Sequence, residues 1–367
     1  MLRGDHPVPV RLRALLLTGL LGIGAAALVA LGNPGNMGLC GACFLRDLGG
    51  ALKLHQAAAA IFRPEIPGIV FGALAFSLLT GRHVGRSGSH AVARFVLCLA
   101  MGIGSLVFLG CPFRLLQRLG GGDLSAWLAF PGFLGGVWLG TQFERRGYSI
   151  GRTSEVPLAV GLTGPVVLGL LLALFLWGSV LAGPGPGGDG PPAHASWTWA
   201  LGIGGLAGAI LSATGFCAIR AGREVFKGPR WMLLAACVLV LAYAATAMAT
   251  GRFQFGLEGQ PVAHGDWLWN TAALVLVGLC GVLAGGCPVR QVVMAGEGNG
   301  DALVGVAGLV VGGSLAHGLG LASVPAGPAG PGGATAAGAV ATCLLLVLVL
   351  VYGFAMARPQ PVPQPPA

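Results

Sequence analysis

Charged side chains are scarce in this chain. Asp, Glu, Lys and Arg make up 9% of 367 residues, whereas a globular domain needs about a quarter to stay in water. That shortage excludes a protein built mainly of soluble domains. The net charge of +9 does not point to nucleic acid, because no basic stripe falls on a water-soluble stretch. Nine cysteines, an odd number, do not form the disulfide framework of a small secreted protein. Cys98, Cys237, Cys280 and Cys343 lie inside apolar runs and read as small packing residues. No cofactor or metal site is expected.

What the chain does have is apolar length and glycine. Hydrophobic residues reach 55%, and the 66 glycines follow no collagen period; glycine of this kind suits helices packed closely in a bilayer. Runs long enough to cross about 30 Å of hydrocarbon occur at 12–31, 66–80 (short), 92–109, 124–143 and 157–182. Five more follow at 197–213, 231–250, 267–285, 302–321 and 334–355. The first run follows Arg3, Arg11 and Arg13 and resembles a signal peptide, but we read it as an uncleaved span. The expected fold is an all-α polytopic membrane protein with about ten transmembrane helices. Its expected organisation is a first repeat at 1–182, a Gly/Pro-rich linker at 183–197, a second repeat at 198–357 and a disordered tail at 358–367.

An odd number of spans per repeat would insert the second copy upside down, the plan of many transporters. With the N-terminus in the cytoplasm, 15 of the 21 basic residues fall on cytoplasmic segments. Both termini are therefore expected inside.

Four cysteines are each followed three residues later by arginine: Cys43/Arg46, Cys111/Arg114, Cys217/Arg220 and Cys287/Arg290. Cys43 to Cys217 spans 174 residues and Cys111 to Cys287 spans 176, so the pairs repeat with the halves. Gly110-Cys111-Pro112 and Gly286-Cys287-Pro288 put proline where a helix begins. The two cysteines are then N-caps, where free amides and the helix dipole favour an anion. Each short helix ends at glycine before the next span, which meets it at Asp123 or Asp301, and suits a half-helix lining a cavity. The glycine-rich stretch before Cys43 is expected to be irregular, with amides able to bind an anion. Cys40 and Cys43 have the spacing of a redox pair. Arg46, Arg114, Arg220 and Arg290 are the anion-binding candidates, because a guanidinium fork bonds two oxygens at once. His317 reads as a packed helix residue, and Asn33, Asn36, Asn270 and Gln117 as helix-end or cavity-facing polar groups.

The block Asn33-Pro34-Gly35-Asn36-Met37-Gly38-Leu39-Cys40-Gly41-Ala42-Cys43-Phe44-Leu45-Arg46-Asp47 resembles the YeeE/YedE family of bacterial inner-membrane sulfur transporters. It is most similar to the YedE-like branch described as selenium transporters (selenium metabolism membrane proteins). Arg63-Pro64-Glu65, Phe108 to Arg114, Gly121 to Leu124 and Gly285 to Arg290 extend the resemblance over nearly the whole chain. It implies an hourglass-shaped helical protein in which Cys43 (or Cys40), Cys111 and Cys287 hand thiosulfate along a central path, with Cys217 the fourth by symmetry. Cys40 departs from the plain thiosulfate pattern, which leaves sulfur and selenium anions both open. The expected function is an inner-membrane permease for such an anion, not an enzyme. A small thiol-carrying protein is a candidate recipient of the cargo, and lipids are the other partners. The alternatives are a membrane thiol-disulfide or sulfur-transfer protein using Cys40/Cys43, and a scaffolding subunit.

Overall fold

The computed structural model describes residues 8–57, 60–178, 181, 193–328 and 330–357. The expected linker at 183–197 falls outside the described residues up to residue 192, and the expected tail at 358–367 does so entirely.

Among the described residues the first half forms α1 (Val8–Ala30), α2 (Gly41–Ala51), α3 (Glu65–Leu79), α4 (Ala91–Val107), α5 (Pro112–Gly120), α6 (Leu124–Arg145) and α7 (Leu158–Leu176). The second half runs through the same order. It comprises α8 (Trp197–Thr214), α9 (Ala218–Phe226), α10 (Trp231–Ala249), α11 (Trp267–Leu283), α12 (Pro288–Gly296), α13 (Gly300–Gly318) and α14 (Ala336–Met356). A two-residue ribbon pairs β1 (Arg86–Ser87) antiparallel with β2 (Ser154–Glu155). Nine helical stretches among the described residues are long and apolar enough to cross a membrane, and α3 is a shorter apolar helix. These match the ten runs read from the sequence. Leu79, Trp177, Val92 and many other large apolar side chains face outward, as bilayer contact requires. The chain is an all-α polytopic membrane protein.

Lipid tails are as apolar as leucine, so these helices gain little from hiding leucine from lipid; close backbone contact does the work instead. Helix α6 crosses α11, and α4 crosses α13, through glycines in the same register. A Cβ on Gly136 would lie 2.1 Å from the Val275 carbonyl oxygen, and one on Gly312 would lie 2.3 Å from that of Leu99. Helix α3 meets α8 even more closely, with a Cβ on Gly72 only 1.8 Å from the Gly205 oxygen. Helices α1 and α10 meet at Gly22 against Leu239. Every one of these contacts joins one half to the other.

Two long spans are broken at equivalent points. Leu109 (φ 59°) and Gly285 (φ 81°) turn left-handed after α4 and α11. The chain then restarts as α5 and α12, each with proline in its first turn. Glycine adopts this conformation freely, whereas leucine does so only under local constraint. The Leu109 turn is closed by the Gly110 amide donating to Ser105 O at 2.6 Å, as the Gly286 amide donates to Gly281 O at 2.8 Å, and the Leu109 carbonyl also accepts from the Arg114 guanidinium.

Hydrogen bonds between connecting segments fall into two sets. One joins Asn33 to Ala195, Asp123 to the Gly256 segment, and Ala326 to Ala263. The other joins β1 to β2, Arg86 to Gly298 and His90 to Ile150. They lie at opposite ends of the helix stack. Equivalent positions exchange ends: Asp123 bridges in the first set, and its counterpart Asn299 bridges Arg86 in the second.

Candidate functional site

Helix N-termini position the thiols. Cys40 is the N-cap of α2, in extended conformation, and its Sγ accepts from the Cys43 amide at 3.3 Å. Cys111 caps α5, Cys217 caps α9 and Cys287 caps α12. Cys43 lies one turn into α2. All five are free and buried, from 0% exposed at Cys40 and Cys111 to 7% at Cys217.

The thiols assemble as two groups. Cys40 neighbours both Cys43 and Cys111, and Cys217 neighbours Cys287. Cys111 and Cys287 are near enough to interact electrostatically, which links the groups. A second contact fixes the junction: a Cβ on Gly41 would lie 2.6 Å from the Val289 amide. The first turns of α2 and α12 therefore abut, and only glycine fits between them.

The geometry corrects the sequence register. Spacing of the Cys-x-x-Arg pairs matched Cys43 with Cys217. By helix cap and by partner, Cys217 corresponds to Cys40: Cys40 meets Cys111 as Cys217 meets Cys287. Cys43 is thus the added thiol of the first half. The local helix start sets equivalence here, and a three-residue spacing to arginine does not report it.

The four arginine candidates have four different settings. Arg114 is 0% exposed, which rules out a headgroup anchor. It donates to the carbonyls of Asn36 at 3.0 Å, Pro261 and Val262 at 3.2 Å, Gly35 at 3.5 Å, and Leu109. No carboxylate pairs with it among the described residues. Arg46 also lies close to Cys43, its Nε donating to the Cys43 carbonyl at 3.4 Å. Its Nε is 2.6 Å from Asp47 Oδ1, and its terminal nitrogen donates to His317 Nε2 at 2.7 Å. Arg290 lies within electrostatic range of Cys217 and forms two bonds to Glu297, at 3.1 and 2.9 Å. Arg220 is exposed and makes no side-chain hydrogen bond among the described residues. The structure brings Arg46 and Arg114 to the first thiol group and Arg290 to the second, but not Arg220.

His317 has a more specific place than that of a packing residue. Besides accepting from Arg46, its ring stacks on His55 with centroids 5.0 Å apart. Asp47, Arg63 and Glu65 entered the sequence reading only through the family resemblance. Asp47 holds Arg63 (2.6 Å) as well as Arg46, and Arg63 lies over the Phe44 ring. Glu65 is buried and accepts from Asn33 at 2.8 Å, with its second oxygen unpartnered among the described residues. Only the direct succession Arg46-Asp47 could have signalled this cluster in advance. Gln117 both donates to and accepts from the Leu39 backbone (2.5 and 3.2 Å), which pins the loop before Cys40 onto α5.

In chemical terms the site offers buried polarizable S–H groups, helix N-termini and fixed guanidinium charge, fully screened from water at Arg114 and partly at Arg290. That combination suits reversible contact with a small, soft anion. Among the described residues no group of His, Cys, Asp or Glu has metal-binding geometry. Compared with known families and with curated proteins, the chain matches no family model and no curated sequence.

Proposed function

We propose that this protein is a permease for a small sulfur- or selenium-containing anion, resembling the YeeE/YedE family. One observation carries the reading: two equivalent pairs of buried free thiols lie close together at the junction of the halves, beside a guanidinium that meets no carboxylate among the described residues. Moving such an anion bare into hydrocarbon costs on the order of tens of kcal/mol. Fixed charge, amide dipoles and weak S–H contacts, repeated along the way, offset that cost while still permitting release. No covalent bond is made or broken, so the protein is not an enzyme in this reading.

The exchange of ends between equivalent segments supports a five-plus-five inverted repeat, and thus alternating access between halves. The basic segments around Arg82, Arg145, Arg152, Lys227 and Arg230 belong to one end, which we assign to the cytoplasm of a bacterial inner membrane. Both termini are then cytoplasmic, where a small thiol-carrying protein is the candidate recipient.

The test is uptake of radiolabelled thiosulfate and selenite in cells lacking other importers. Cys111→Ala and Cys287→Ala should each abolish it at unchanged expression, and full uptake in both would defeat the reading. The CysxxCys spacing at the start of α2 favours a second reading, a thiol-disulfide exchanger. It predicts that Cys40→Ser is as damaging as Cys43→Ser and that mixed disulfides can be trapped. Burial of both thiols to 2% or less speaks against it, since exchange needs access to a partner's disulfide.

A further inference from the structure

Half-helices α5 and α12 have the same length, the same Cys-Pro start and an arginine at the same place, yet their arginines differ in one respect. Among the described residues Arg114 meets only carbonyl oxygens, whereas both terminal nitrogens of Arg290 are taken by the two oxygens of Glu297. The residue equivalent to Glu297 in the first half is Gly121, where a Cβ would lie 1.9 Å from Asn36 Oδ1. No carboxylate fits there. In the second half Glu297 is also steadied by Ser212 of α8, whose hydroxyl donates to it at 2.8 Å.

The two-pronged face of a guanidinium is also the face a planar or tetrahedral oxyanion would use. Glu297 therefore occupies what an arriving anion needs. We propose that Glu297 is an internal competitor for the anion at Arg290, a release element that displaces cargo from the second thiol pair. The proposal rests on the permease reading above. The Arg290 and Glu297 side chains are 20% and 23% exposed, so water weakens the pair enough for an anion to break it and for the pair to reform. Arg114 is held by neutral carbonyls and meets no carboxylate among the described residues, so no charged rival contests an anion there. The first half captures and the second lets go.

Purified protein in proteoliposomes tests this, with labelled thiosulfate and selenite as probes and Glu297→Gln as the isosteric variant. Glu297→Gln should bind the transported anion about fivefold more tightly, with KM and kcat falling together because release slows. Glu297→Asp should behave as wild type. Glu297→Ala, at a partly exposed helix end, is the second variant should the amide fail to fold, and the same result is expected. A purely structural role would lower kcat without tightening binding, and that outcome overturns the proposal. Unchanged KM and kcat in a protein that transports overturns the proposal alone. Absence of binding and uptake of both anions in wild type overturns it together with the permease reading.

Discussion

A guanidinium removed from water, as at Arg114, meets carbonyl oxygens and no carboxylate among the described residues. Such a charge is costly unless something negative visits it. Arg118, four residues on, shows the other solution. Its Nε is 2.6 Å from Asp123 Oδ2, both side chains are 0% exposed, and it also donates to Phe108 O and Ser125 Oγ. The second half holds Met294 and Asn299 at the matching positions, with Asn299 capping α13 as Asp123 caps α6. Asp301, which looked like the counterpart of Asp123, instead accepts from the hydroxyls of Ser87 and Ser89. The repeat therefore supplies its own neutral control. Arg118→Met or Asp123→Asn alone should cost about 3 kcal/mol or more by stranding a buried charge. The double variant should cost clearly less than the sum, and thermal melts in detergent read the difference.

Among elements, the helix crossings decide stability. Gly136 and Gly312 each face a backbone carbonyl of the opposite half, which cannot move aside as a flexible side chain would. Gly135, its neighbour on α6, has nothing within 4 Å. Gly136→Ala and Gly312→Ala should sharply reduce folded protein in membranes, measured by fluorescence-detected size exclusion. Gly135→Ala should be neutral or gain up to about 1 kcal/mol from helix propensity. The broken spans were readable as Gly-Cys-Pro followed by a glycine stop, because proline and glycine act through local backbone geometry. The left-handed Leu109 was not readable, since that conformation is signalled in sequence by glycine and leucine carries no such mark.

At the scale of the whole molecule, the two sets of connections define two faces of one membrane protein. Assigning the arginine-rich face to the cytoplasm predicts that alkaline phosphatase fused after residue 256 is active and after residue 357 inactive. The reverse pattern would invert the capture and release sides without disturbing the fold.

Membrane class and span count were settled by composition and run length, because a bilayer imposes a length and an apolarity that no distant contact can alter. The N-cap positions of Cys111 and Cys287 were likewise legible, since Cys-Pro carries its helix start within itself, whereas those of Cys40 and Cys217 were not. Folding alone decided which thiols lie together, that Cys40 and not Cys43 matches Cys217, and that among the described residues Arg220 stands apart while Arg114 meets no carboxylate. Those outcomes depend on groups tens or hundreds of residues away, such as the carbonyls of Pro261 and Val262 that reach Arg114 from the other half. Local spacing holds no information about them.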